Sequence, residues 1–321
     1  MKNYLRKHVT VLASAGVYLA LYALAAARYD GFLSGAVFTN FLSGSAVLGI
    51  VAVGMTFVIL SGGIDLSVGA MMSFSSVIIG VLIMNMHLHP LAAIAVSLAC
   101  GTAMGAVMGL VIHMTGIKPF IVTLAGMFFV RGLAFLIHLE SVAIVDARHT
   151  ALASARLGPL PMTAILFLAM VVIGWYVAAQ TRFGRNVYAL GGSEEAALLM
   201  GLPIKSTKVA VYAVSGFCAS FAGAVLTLYL SSGNHQEGVG MELDAIAAVV
   251  VGGTLLAGGV GSVIGTLIGV LMLGLILTCI TTYEGMMSSG MTRVAIGLLL
   301  LAFVLMQKLL TRRLPGELHG T

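Results

Sequence analysis

Charge is what this sequence has least of. Asp, Glu, Lys and Arg make up 8% of its 321 residues, against about a quarter in soluble globular domains. A chain so poor in charge cannot cover a water-facing surface, which excludes a soluble fold. Cysteine is scarcer still: Cys100, Cys218 and Cys279 each sit inside an apolar run, with neither metal spacing nor a disulfide framework. Strict alternation of apolar and polar residues is missing, so a transmembrane barrel is excluded as well. The chain has no G-x-x-x-x-G-K-[ST] stretch and hence no phosphate cradle for ATP. No nucleophile elbow or triad can be placed around Ser61 or Ser67. His87 and His89 in "HLHP" offer two metal ligands without a third. These absences argue against an enzyme, a resident metal and any cofactor.

What is present is apolar sequence: 60% of the residues are hydrophobic and the mean hydropathy is +1.10. The pattern predicts an all-α integral membrane protein, one membrane-embedded domain over residues 1–321. About ten spans are expected, each near the length a bilayer requires. They are Val9–Ala27, Phe41–Leu60, Leu66–Met86, Leu91–Met114, Phe120–His138, Met162–Ala179, Val209–Leu230, Leu243–Ala257, Val263–Thr281 and Thr292–Gln307. The first, with its basic head and "AAA", could pass for a secretory leader. Its apolar run of about 19 residues exceeds the usual 7–15 of such a leader, so it reads as an uncleaved span.

The basic residues orient the bundle, since short cytoplasmic loops carry an excess of Lys and Arg. With the N-terminus inside, Lys2, Arg6, Lys7, Lys118, Arg182, Arg185, Lys205, Lys208, Lys308, Arg312 and Arg313 are cytoplasmic. That is 11 of the 16 Lys and Arg. Arg28, Arg148, Arg156 and Arg293 fall outside, and Arg131 falls within the fifth span. Both termini are therefore expected inside, and the basic excess reads as topology rather than as a nucleic-acid surface.

The polar stretch 139–161 divides the spans into halves, about 1–138 and 162–307. Five spans in each half would invert one against the other, a 5+5 inverted repeat of the kind found in transporters. "LSGGIDLSVGA", Leu60–Ala70, has a faint echo at the equivalent place in "LSSGNHQEGVGM", Leu230–Met241. Gly101, Gly105 and Gly109 on the fourth span, and Gly261, Gly265 and Gly269 on the ninth, recur every four residues. Small residues at that spacing let helix backbones approach closely in lipid.

The cytoplasmic loop 181–208 holds a short helix. Ser193 is placed to cap it, Glu194 and Glu195 suit the positive end of its dipole, and Gly201 is placed to end it. Between them lies apolar "AALLM", Ala196–Met200. A helix this short has little stability alone. Its apolar side suits either its own bundle or the groove of a cytosolic partner.

Four stretches carry a family resemblance: "LGIVAVGMTFVILSGGIDLSVGA", "PFIVTLAGMFFVRGL", "TRFGRNVYALGGSEEAALLMGL" and "ELDAIAAVVVGGTLLAGGVGSVIGTLIGV". Together they resemble the ribose-type branch of bacterial ABC importer permeases, along nearly the whole chain from the second span on. The resemblance implies a multi-pass permease of the bacterial inner membrane, moving a monosaccharide inward, with galactofuranose as the sugar indicated. It implies an ABC ATPase on a separate chain, a second permease and a periplasmic sugar-binding protein. It also gives the loop residues Ser193, Glu194, Glu195, Ala196, Ala197 and Gly201 the role of coupling to the ATPase. The alternative is an ion-coupled secondary transporter, for which an acid beside glycines at a helix break would also serve.

Ionisable groups inside a membrane are costly and point to function. Asp65, Ser67, Arg131, Glu242 and Asp244 are the candidates for the substrate path. Asp65 either caps the third span or contacts sugar, and Arg131, near mid-membrane, is expected to have a carboxylate or carbonyl partner. The orientation is testable by reporter fusions. Alkaline phosphatase joined after Leu157 should be active. Joined after Arg185 it should be inactive, and the reverse pattern would overturn the topology.

Overall fold

Proline and glycine mark where this chain starts and stops its helices. In the structure, a computed structural model that describes residues 2–279 together with 294, 297, 298 and 301, α1 runs Lys2–Arg28, α2 Gly35–Leu60 and α3 Val68–Met84. α4 spans Pro90–Thr115 and α5 Pro119–Ile137. Both α4 and α5 open with proline at the first helical position, where a missing N–H costs nothing. His89 caps α4 through its ring, accepting from the Leu91 N–H, and Gly116 ends it at φ 67°.

After α5 the chain forms a short strand β1, Val142–Ala143, and a two-turn helix α6, Ala147–Ser154. Asp146 caps α6 by accepting from the Arg148 and His149 N–H groups. Its carboxyl is held down at about 2, first by the hydrogen bond from the Arg148 side chain. The strands β2, Arg156–Leu157, and β3, Leu160–Pro161, make a hairpin. Then come α7, Met162–Gln180, α8, Arg182–Gly192, α9, Glu194–Leu199, and α10, Ile204–Leu230. Strand β4, Ser232–Gly233, pairs antiparallel with β1. Finally α11 covers Met241–Val251 and α12 Val263–Thr278.

Six of the described helices, α1, α2, α4, α5, α7 and α10, are long and apolar enough to cross a bilayer. The expected spans one to nine each coincide with a helix. The tenth, Thr292–Gln307, lies outside the described residues except for single positions, as do Arg293, Lys308, Arg312 and Arg313. The eighth is shorter than expected. Its helix stops at Val251, because Gly252 abuts the Gly265 carbonyl and Gly253 turns at φ 95°. Gly261 is likewise not helical. It lies in the turn before Ser262, the cap of α12.

α2 is the central pillar, buried on every side from Gly49 to Leu60, as expected for a helix apolar all round. It packs on α7, α10, α11 and α12, and Thr56 on α2 meets Thr266 on α12 with hydroxyl oxygens 2.7 Å apart. The closest helix pair is α4 against α10. A Cβ on Gly105 would collide with the Tyr212 carbonyl, and one on Gly216 with the Gly101 carbonyl. The α4 glycines thus form a packing face with no room for even a methyl group.

The loops gather at two ends of the bundle. At one end, Gly191 sits against the Leu60 carbonyl, and the Gly259 N–H donates to that same carbonyl at 2.9 Å. At the other, β1 pairs with β4, and His149 on α6 reaches Thr227 near the end of α10 at 3.3 Å. Gly105→Val should lower stability in detergent by about 1–3 kcal/mol, the usual cost of overpacking. Gly132→Ala, where a Cβ meets nothing within 4 Å, should leave the melting temperature unchanged.

Candidate functional site

The break after α2 begins with glycine. Gly62 adopts φ 81°, and the N–H groups of Gly62 and Gly63 return to the Ile59 and Val58 carbonyls. The chain then crosses, without regular structure, to the start of α3. Irregular backbone within a bundle must find partners elsewhere, and here it does. Leu66 N–H donates to Thr123 Oγ1 of α5 at 3.1 Å, and Thr123 Oγ1 donates in turn to the Ile64 carbonyl at 3.2 Å.

Asp65 holds the centre of this segment and is fully buried. One carboxylate oxygen accepts from Ser67 N–H at 2.9 Å and Ser67 Oγ at 2.6 Å. The other accepts from Ser215 Oγ of α10 at 2.7 Å. All three partners are protein groups. The carboxylate fixes the turn before α3 through Ser67, the residue at the N-cap of α3, and fastens that turn to α10 through Ser215. Hydrogen bonds to a charged group contribute about 1.5–3 kcal/mol each.

The echo segment lies against the same helix. From Gly233 to Glu242 the chain runs back along α3. The Asn234 N–H donates to Ser76 Oγ at 3.2 Å, and Ser73 Oγ meets the Glu237 carbonyl. A Cβ on Gly69 would collide with the Gly238 carbonyl and lie 2.6 Å from Glu242 Oε2. The N-termini of α3 and α11 therefore meet inside the bundle. At about 1.5 Å per residue, α3 and α11 are about 25 and 16 Å long. Both fall short of the about 30 Å hydrocarbon core.

On the elements that border this segment, α3, α5, α10, α11 and the stretch before α11, several polar atoms are buried without a hydrogen-bond partner among the described residues. They include Arg131 Nε, Glu242 Oε2, His235 Nδ1, Ser75 Oγ and the Tyr212 hydroxyl. The partner expected for Arg131 is thus not supplied to its Nε by any described residue. Its nearest turn of α5 offers only apolar side chains, and the acids lie on other elements. Glu242 and Asp244 occupy the first turn of α11, where the helix dipole favours them. Leaving a buried polar group unpaired costs about 1–3 kcal/mol, so each of these atoms calls for a reason. His235 and the serines of α3 escaped the sequence reading, although "SFSS" inside an apolar helix is a legible mark.

The loop 181–208 contains two helices rather than one. α8 was not anticipated because its glycines, Gly184, Gly191 and Gly192, disguise an amphipathic turn. Gly184 is needed where its Cα abuts the Ala178 carbonyl. In α9, Ser193 accepts from the Ala196 N–H at 3.2 Å, and Gly201 closes the turn beyond it at φ 72°. Glu194 pairs with Lys208 at 2.6 Å, and Glu195 and Ala196 face outward. Ala197 is fully buried with Leu190 and Ile204, while Leu198, Leu199 and Met200 are 65%, 89% and 65% exposed.

Asp65→Asn puts an amide N–H₂ where a hydroxyl donates. It should lower the folded yield and the melting temperature, while uptake per folded molecule stays near wild type. Reduced uptake at normal stability would instead place the carboxylate on the solute path.

Comparison with known proteins agrees with this architecture. A family described as branched-chain amino acid transport system / permease component matches residues 37–305. The chain is 46% identical over 312 residues to the inner membrane ABC transporter permease protein YjfF of Escherichia coli, covering 96% of this chain and 94% of that one. It is 33% identical over 314 residues to the fructose import permease protein FruG of Bifidobacterium longum, covering 94% and 92%. With the ribose import permease protein RbsC of Escherichia coli it shares 41% over 244 residues, covering 73% and 74%. No solved structure matches the chain. The chain belongs to the branched-chain amino acid transport system permease-component family, in its ribose-type branch, and is a multi-pass ABC permease of the inner membrane.

Proposed function

We propose that this chain is the transmembrane permease subunit of an ATP-driven importer that carries a monosaccharide inward, and that the sugar is galactofuranose. The relatives named for ribose and fructose support the sugar class, and the sequence resemblance supports the particular sugar. The importer is completed by an ABC ATPase, a second permease and a periplasmic sugar-binding protein. Such a permease makes and breaks no bond. Its task is to hold a sugar-sized path closed on one side at a time and to let ATP binding elsewhere decide which side.

The observation that carries the reading is the α8–α9 loop. Three large apolar side chains in a row, Leu198, Leu199 and Met200, stand exposed on a turn that is otherwise firmly held. Ser193 caps that turn, Ala197 anchors it, and Glu194 ties it to Lys208. A rigid apolar projection suits a groove on a partner. At its other end, α8 brings Gly191 against the Leu60 carbonyl at the end of α2, five residues before Asp65. A push on α9 would therefore reach the helix break through backbone contacts rather than flexible side chains.

Leu199→Asp tests this directly, because Leu199 supports nothing in the fold. Membrane insertion and melting temperature should be unchanged. ATP-driven uptake of labelled galactofuranose by the whole importer should fall at least about tenfold, which corresponds to about 1.4 kcal/mol of lost docking. Undiminished uptake would remove the coupling role. Ala197→Glu should also abolish uptake, but by unseating α9 from Leu190 and Ile204.

A further inference from the structure

An open surface depression flanks the C-terminal end of α5 along the consecutive residues Phe135 to Glu140, of which Phe135, Leu136, Ile137 and Leu139 are exposed. Phe135 forms part of its wall and also packs on His235, with ring centroids 4.1 Å apart and planes tilted by 48°. His235 lies behind it, only 4% exposed, and its Nδ1 has no partner among the described residues. One helical turn along α5, on the same face as Phe135, stands Arg131 with its unpartnered Nε. Farther along α3, where α11 begins, the unpartnered Glu242 Oε2 rests against Gly69.

These groups follow one direction. α5 and α3 are tied at one end by Thr123 and Leu66. At the other, Phe135 meets His235, next to Asn234 on Ser76. The exposed end of α5 therefore carries an aromatic contact that covers the buried His235, and the elements behind it hold further buried polar atoms without a partner among the described residues. A sugar presents hydroxyls that both donate and accept, and an aromatic ring offers its apolar face a flat surface.

Resting on the reading of the chain as a sugar permease, we propose that the Phe135–His235 contact is the outer seal of the sugar path. His235, Arg131 and Glu242 are the groups that sugar hydroxyls meet once the seal opens. The importance of Phe135 is its ring, which covers His235. The importance of Arg131 Nε, Glu242 Oε2 and His235 Nδ1 is that no described residue bonds them, so they release no such partner when the sugar arrives.

The test uses the complete importer in proteoliposomes preloaded with radiolabelled ribose, without ATP. Phe135→Ala should raise passive efflux at least tenfold over wild type, and Phe135→Tyr should not. An assembled Phe135→Ala complex that leaks no more than wild type would overturn the seal. A second measurement covers the case in which that variant fails to assemble. In a background with Cys100, Cys218 and Cys279 replaced by alanine, Ser76→Cys, a buried position beside Asn234 and not among the sugar-facing groups, should resist a membrane-impermeant maleimide at rest. It should react at least tenfold faster during turnover. Equal rates in both conditions would also overturn the seal. Failure of the sugar reading shows itself separately, as a wild-type importer that takes up no monosaccharide, while the ribose leak still reports on the contact.

Discussion

One buried carboxylate allows this bundle to contain a broken helix. α2 stops at Leu60, and the chain must cross an apolar interior before α3 begins at Val68. Unpaired backbone in that setting would cost several kcal/mol per group. Asp65 removes much of the cost by binding Ser67 on its own segment and Ser215 on α10, while Thr123 of α5 takes up the adjoining backbone. The break is thus over-determined from two neighbouring helices. Its reward is a place inside the bundle where the N-termini of α3 and α11 meet and polar groups can be held in readiness. Transporter sites are commonly built at such discontinuities.

The same break is mechanically connected to the α8–α9 loop. Leu60, Gly62, Gly191, Gly258 and Gly259 form a knot of backbone contacts too close for side chains. Backbone against backbone deforms little, so displacement of α8 is transmitted rather than absorbed. The helix break and the exposed apolar turn of α9 are accordingly joined by backbone contacts, which is the connection the proposed coupling uses.

Much of this was legible in the sequence because it is local. The apolar runs Leu91–Met114 and Phe120–His138 mark α4 and α5, and Ser193 and Gly201 mark the borders of α9. The i, i+4 glycines of α4 announced its packing face. What stayed hidden depends on distant residues. The early end of α11 follows from the contact of Gly252 with Gly265, and Gly261 leaves the helical pattern because it must turn beside Thr254. Ser215 is an unremarkable serine until Asp65 is placed beside it. His235 reads as a loop histidine until Phe135 covers it. Arg131 was expected to pair as an isolated cost would require, and its Nε instead stays open beside other unpaired groups. Sequence patterns describe what a helix needs locally, whereas these contacts are set by residues distant in the chain.

A permease without an ATP site of its own works only as one part of an ATP-driven assembly, as proposed for this chain. The most direct measurement is to tag it in its native host, extract it in mild detergent and identify the proteins that accompany it. Recovery with an ABC ATPase and a second permease is the result this account requires. Recovery of the chain alone, across several detergents, would contradict it and turn attention to Asp65 as an ion-coupling group.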